Sequence, residues 1–140
     1  MSEFFVEKQI YYHDTDAGGV VYYARYLEHL EEGRSGFFRS RGIDIVEYAK
    51  NGVIFPIVHL EIDYKTPARY GDTVRIYSRV EKVGNASIQF AHEIRRGDTV
   101  LLAAKVVSAC VDANLKPRRI PEEIRSVVSP KPEAGREEHG

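Results

Sequence analysis

The sequence predicts an α+β domain on three observations. One long helical pattern runs from about Val20 to Arg41, four strand-like segments joined by tight turns follow it, and no βαβ alternation calls for a parallel sheet. At 140 residues the chain suits one domain with a real core. Residues 1–128 are assigned to that domain. Residues 129–140, "SPKPEAGREEHG", have almost no apolar content and are assigned to a disordered tail.

Glu3 to Tyr12 is rich in Phe, Val, Ile and Tyr and reads as a first strand. In the helix, Tyr23, Leu27, Leu30, Phe37 and Phe38 recur at spacings of three, four and seven. Gly33 and Gly36 each cost it up to ~1 kcal/mol relative to Ala. Close packing against another backbone is the expected reason for keeping them, and Gly42 is the expected stop. "IDIVEYAKNG" suggests a short second helix. In the Phe55–Tyr64 segment, Val58, Leu60, Ile62 and Tyr64 share a face. Thr73 to Val83 alternates Val74, Ile76, Ser78 and Val80, Gly84-Asn85 makes a turn, and Ala86 to Arg95 places Ile88, Phe90, His92 and Ile94 together. "RGD" is another turn. Val100 to Val111 is apolar on both faces and reads as a central strand. "KPRRIPEEI" closes the fold with a helix led by Pro121. Consecutive hairpins imply an antiparallel sheet, against which the main helix buries its apolar stripe.

Charge is balanced, with 20 Lys+Arg against 21 Asp+Glu and a pI near 6.5. That excludes bulk attraction to nucleic acid or to an anionic membrane. The single Cys110 excludes an intrachain disulfide framework and fits a reducing cytoplasm. The N-terminus does not read as a signal peptide, and no apolar run approaches the ~20 residues of a membrane span. The expected setting is cytoplasmic.

The chemistry centres on "YYHDTDAGGVVYYARYLEHLEE", Tyr11 to Glu32. Laid on a calcium-binding EF-hand, Asp14, Asp16 and Gly19 match loop positions one, three and six. Gly18 then gives no oxygen at position five, and Arg25 stands where a bidentate Glu is required. An aspartate-based phosphatase needs a parallel α/β sheet, which a hairpin-rich chain does not supply. Helix capping, worth typically ~1 kcal/mol, is the plain reading of Asp14 or Thr15. Capping does not account for two glycines after Asp16. Glycine allows close approach to the backbone, and free N–H groups at a helix start receive an anion or a developing oxyanion. A carboxylate beside an oxyanion site is equipment for acyl transfer.

The run "YYHDTDAGGVVYYARYLEHLEEGRSGFF" resembles the signature of the 4-hydroxybenzoyl-CoA thioesterase family, especially its branch of Tol-Pal-associated acyl-CoA thioesterases. The likeness continues through "FPIVHLEIDYKTPARYGDTVRI" and "CVDANLKPRRIP", covering roughly residues 5–121. The resemblance implies a hotdog fold, an antiparallel sheet wrapped around one long central helix. It also implies homodimers or homotetramers paired edge to edge, acyl-CoA sites at subunit interfaces, and no metal or bound cofactor. By position, Asp16 matches the catalytic carboxylate, as nucleophile or general base, and the Tyr23 backbone N–H matches the group that polarises the carbonyl. Gly18 and Gly19 give the thioester room. The Tol-Pal branch usually has His where this chain has Tyr23. A backbone role survives that change and a side-chain proton role does not.

CoA carries phosphates, so cations are expected at the site mouth, with Lys65, Arg69, Lys116, Arg118 and Arg119 as candidates. Solvated surface charge is the competing reading of each. His59 lines the acyl pocket or is solvated; His13 orients the loop or faces solvent. Glu31 and Arg34 are spaced to pair, and the resemblance also places Glu31 near the site. His92 reads as a satisfied core histidine, Cys110 as a buried thiol, and His29 belongs to no zinc motif. The expected activity is hydrolysis of a short-chain, medium-chain or aromatic acyl-CoA. A hotdog hydratase or dehydratase would need a constellation that "DTDAGG" lacks. The alternative class is a protein that binds acyl-CoA or acyl-carrier protein without turnover.

Overall fold

The computed structural model describes residues 3–130, so the expected tail lies outside the described residues except for Ser129 and Pro130. The elements are β1 (Phe5–Gln9), a 3-10 turn (Tyr12–Asp14), α1 (Arg25–Ser40), α2 (Ile45–Lys50), β2 (Ile57–Tyr64), β3 (Thr73–Val83), β4 (Ser87–Arg96), β5 (Thr99–Ala109) and α3 (Glu122–Val128). All five strands form one sheet in the order β1-β3-β4-β5-β2, antiparallel throughout. Alternation fixes its register, because a one-residue slip would turn every apolar side chain to the wrong face. Ile76 faces Ile94 across β3–β4, and Phe90 faces Val106 across β4–β5. Both expected turns form: Gly84 N–H donates to Ser87 O at 2.8 Å, and Arg96 pairs with Thr99 around Gly97, whose φ is 59°. β5 is paired on both sides, as its apolar character suggests, and β2 forms an edge.

One sheet face carries α1. Val74, Ile76, Val80, Ile88, Phe90, Ile94, Leu102 and Val106 are buried there against Tyr26, Leu30, Phe37 and Phe38. Each such large side chain contributes about 1.5–3 kcal/mol when taken from water. Gly33 and Gly36 permit the close crossing. A Cβ at Gly33 would lie 2.5 Å from Ser78 Oγ and 2.8 Å from Ile76 Cγ2, and one at Gly36 would lie 2.7 Å from Val6 Cγ2. The close neighbours are thus side chains of β3 and β1, not the backbone expected from the sequence. Gly42, at φ 78°, ends the helix as expected, with Arg39 O accepting its N–H.

α1 begins five residues later than its periodicity suggests. Val20 and Val21 pair instead with the chain at 68–69: Val20 bridges Arg69, and Val21 N–H donates to Ala68 O at 2.8 Å. β-branched residues suit that extended pairing better than a helix. α2 starts at Asp44, whose Oδ1 accepts the Val46 and Glu47 N–H groups at 3.1 and 3.3 Å. α3 follows Pro121 and buries Ile124 and Val128 beside Cys110. Among the described residues no helix is long and apolar enough to cross a membrane.

In β2, Leu60, Ile62 and Tyr64 stand opposite Val106, Ala104 and Leu102, as their alternation predicts. A bulge between Ile57 and His59 puts Ile57 rather than Val58 opposite Ser108, and the strand is largely uncovered. Val58 is 61% exposed, Leu60 38% and Tyr64 50%.

Candidate active site at the start of α1

The loop from Tyr11 to Ala24 is built from two turns. In the first, Asp14 N–H donates to Tyr11 O at 3.0 Å, and Asp14 Oδ2 accepts Tyr11 N–H at 2.9 Å. The capping expected of Asp14 therefore serves the 3-10 turn, not α1, while the Thr15 hydroxyl donates to Tyr12 O at 2.7 Å. In the second turn, Asp16 N–H donates to Val20 O and Gly19 N–H donates to Asp16 O, both at 3.0 Å. Gly19 adopts φ 79°, so glycine is required there by the turn itself. Asp16 is exposed. Its Oδ1 accepts Gly18 N–H at 2.8 Å, and among the described residues its Oδ2 has no hydrogen-bond partner.

The first amides of α1 are consumed locally: Arg25 N–H donates to Tyr22 O, Tyr26 N–H to Tyr23 O and Leu27 N–H to Ala24 O, at 2.8, 3.3 and 3.2 Å. Tyr22 N–H donates to Asp14 O at 3.1 Å. Among the described residues, that leaves the Tyr23 and Ala24 amides without an acceptor. They sit at the positive end of the α1 dipole, seven and eight residues after Asp16 in the chain.

Beside these amides lies a crevice of ≈ 260 Å³ lined by Val21, Tyr23, Tyr26, Tyr64, Lys65, Thr66 and Pro67. Tyr64 OH donates to Tyr23 O at 3.2 Å, tying β2 to the helix start. Tyr26 OH accepts Ala68 N–H at 2.9 Å; burial raises its pKa above the usual phenol range, and the Ala68 bond partly opposes that rise.

The sequence-derived residues are only partly gathered. Lys65 lines the crevice with Tyr23, and Arg69 is paired through Val20 to the Asp16 turn, its N–H donating to Asp72 Oδ2 at 2.8 Å. Asp16, Gly18 and Gly19 form the neighbouring turn and do not line the crevice. His59 projects from β2 exposed, with its Nε2 2.8 Å from Glu61 Oε2. Arg118 is remote. It contacts Gly52 O at 3.5 Å, and its N–H donates to Cys110 O, whereas Lys65 N–H donates to Leu101 O at the other end of β5. At roughly 3.4 Å per residue those ends are about 30 Å apart.

Other expectations change. Glu31 accepts the Ser35 hydroxyl at 2.8 Å, and among the described residues no ion pair joins it to Arg34. His92 is buried with Nδ1 2.9 Å from Ser78 Oγ, while its Nε2 has no partner among the described residues. Burial, helped by the Arg34 charge, pushes its pKa down to about 3. Sequence reasoning also passed over His29, which is buried facing Asp14, with burial lowering its pKa against the opposing pull of Asp14. The i, i+4 spacing of Arg25 and His29 was the available signal. Among the described residues no three His, Cys, Asp or Glu side chains gather as a metal site.

The profile of the Thioesterase-like superfamily matches residues 11–128 of this chain. The chain belongs to that superfamily. Among curated relatives, it is 35% identical over 122 residues to the acyl-CoA thioesterase YbgC of Haemophilus influenzae, covering 84% of this chain and 88% of the relative. It is 27% identical over 128 residues to the 1,4-dihydroxy-2-naphthoyl-CoA hydrolase of Synechococcus elongatus, covering 89% and 94%. Among solved structures, a probable thioesterase from Bartonella henselae superposes with a TM-score of 0.81 at 34% identity, over 86% of this chain and all of that one. The five-stranded antiparallel sheet with its helices is thus the hotdog thioesterase fold of the superfamily.

Proposed function

We propose that this chain hydrolyses the thioester of a short-chain, medium-chain or aromatic acyl-CoA in the cytoplasm, with Asp16 as the catalytic carboxylate. The observation that carries the reading is the pair of unspent amides, Tyr23 and Ala24, at the start of α1 within one short loop of an exposed carboxylate. The named activities of the Haemophilus and Synechococcus relatives support it.

As general base, Asp16 would take a proton from water while the water oxygen bonds to the thioester carbon. The carbonyl oxygen would gain charge against the Tyr23 N–H, with Ala24 adjoining. Collapse would break the C–S bond, and the CoA sulfur would recover the proton from Asp16. As nucleophile, Asp16 would form a mixed anhydride and expel the CoA thiolate, and water would then cleave the anhydride. Both routes use the ionised carboxylate and the same amides. Donors fixed before charge develops are worth roughly 2.7–4 kcal/mol in comparable oxyanion sites. Gly18 and Gly19 would keep the approach open, and no metal or bound cofactor is needed.

Lys65 and Arg69 would meet CoA phosphates at the mouth. Arg118 and His59 would join only across subunits. The two ends of β2 lie beside Ser108 and Leu102, near the Arg118 and Lys65 ends of β5 respectively. Antiparallel pairing of β2 with its copy would therefore carry the partner's far end toward this site. A homodimer, or a homotetramer built from it, is the proposed assembly.

Steady-state assay of Asp16→Asn and Asp16→Ala against benzoyl-CoA, hexanoyl-CoA and decanoyl-CoA tests the reading. A loss of kcat of order 10²-fold or more with intact folding is expected. Unchanged turnover in both variants would leave acyl-CoA binding without catalysis as the better account.

A further inference from the structure

We infer that Asp14, the first aspartate of the loop, is a positioning residue that holds the oxyanion-binding amides in place; the inference rests on the function proposed above. Asp14 is only 3% exposed. A carboxylate removed from water is costly unless hydrogen bonds and opposite charge meet it. Here Oδ2 accepts Tyr11 N–H at 2.9 Å, and Oδ1 lies 3.5 Å from Arg25 Nε, 3.7 Å from His13 Nε2 and 3.9 Å from His29 Nε2. A cap on a 3-10 turn needs no charge, since Asn or Ser supplies the same oxygen. The charge is accounted for by what lies on its other side, the first residue of α1.

Asp14 grips that helix start at two points. Its carbonyl accepts Tyr22 N–H at 3.1 Å, and its carboxylate faces the Arg25 guanidinium. Arg25 is tied in further: its N–H donates to Tyr22 O at 2.8 Å, Nη2 donates to His13 O at 3.3 Å and Nη1 donates to Glu28 at 2.9 Å. Tyr22 and Arg25 bracket Tyr23 and Ala24. The two amides without acceptors are therefore clamped on both sides by one buried residue, which also stands two positions before Asp16. Such a clamp fixes the distance between donors and carboxylate, and a misplacement of about 1 Å in that relationship costs on the order of 10²-fold in rate.

The test compares Asp14→Asn and Arg25→Gln with Asp16→Asn, using whichever of benzoyl-CoA, hexanoyl-CoA and decanoyl-CoA the unmodified chain hydrolyses fastest. Melting temperatures are measured alongside, and kinetics are run well below them. Asp14→Asn is expected to lower kcat by about 10²-fold with KM within about threefold, and Arg25→Gln to lower it by about tenfold in the same pattern. Retention of kcat within about twofold by both variants, with Asp16→Asn inactive, overturns the role of Asp14 and leaves the proposed function standing. Retention by Asp16→Asn as well overturns the function itself. A loss expressed in KM alone also counts against positioning. Should Asp14→Asn not fold, Arg25→Gln decides by the same outcomes, because its side chain is 31% exposed and its removal spares the core.

Discussion

The Ser78 hydroxyl stands 2.9 Å from Nδ1 of His92, and this buried pair lies directly beneath Gly33 of α1. The arrangement couples the helix crossing to a histidine that folding keeps neutral. Its pKa of about 3 in the fold, against 6.5 in the open chain, sets the sign of its pH dependence.

Above pH 6.5 both states leave His92 neutral and its contribution is fully present. Between pH 6.5 and about 3 the unfolded chain binds a proton that the folded chain refuses, so stability falls with falling pH. The limiting slope is about 1.4 kcal/mol per pH unit. His29, also lowered by burial, acts in the same sense. Urea denaturation at pH 7.5, 6, 5 and 4 is expected to show this decline, and His92→Gln to flatten it.

Gly33→Ala is expected to destabilise, although Ala favours helix by about 1 kcal/mol. The new methyl would meet Ser78 Oγ at 2.5 Å and Ile76 Cγ2 at 2.8 Å, inside a packed crossing. Overpacking of this kind costs about 1–3 kcal/mol, and the denaturation midpoint should fall accordingly. A stabilised variant would show that the crossing yields easily.

Tyr23→Phe and Tyr23→His are expected to keep kcat within about threefold of the unmodified chain, because the proposed role belongs to the amide. Loss of the hydroxyl leaves the Tyr23 O···Tyr64 OH contact untouched. A kcat lower by about 10²-fold in Tyr23→Phe would instead assign proton chemistry to the phenol.

Leu60→Lys, at the middle of the exposed strand β2, is expected to yield monomers by light scattering and to raise KM by several-fold. In the proposed dimer Arg118 would reach the site from across the interface, so Arg118→Ala should raise KM by several-fold with kcat little changed, as for lost phosphate contact. A fully active monomer would contradict the shared site.

Strand positions were readable because period-two alternation survives in the sequence wherever one face is buried. β3 spans Thr73 to Val83 as its alternation indicates, and the Gly84-Asn85 and Gly97-Asp98 turns fall where their residues require. The start of α1 was not readable. Tyr23 and Leu27 fit the helical period, but Val20 and Val21 are taken by pairing with residues far along the chain. At the candidate site, the motif around Asp16 and the capping by Asp14 were visible, whereas the burial of Asp14 against Arg25 and the turn that Asp14 caps were not. Which of two aspartates one residue apart is buried and which is exposed is set by the two turns, and spacing alone does not show it. The placement of Arg118 depends on which end of β5 each connection reaches, a fact of topology that spacing does not encode.

On the sheet face away from α1, the Arg75 guanidinium covers the Phe5 ring at 4.3 Å and Arg95 covers Tyr77 at 4.1 Å. Phe5 and Tyr77 thus each wear a hydrated cation as a cap, held by Glu7 or Glu93. Among the described residues no such cap covers β2. The bare apolar surface of β2 is thus left open to self-association, whereas Phe5 and Tyr77 are guarded against accidental stacking.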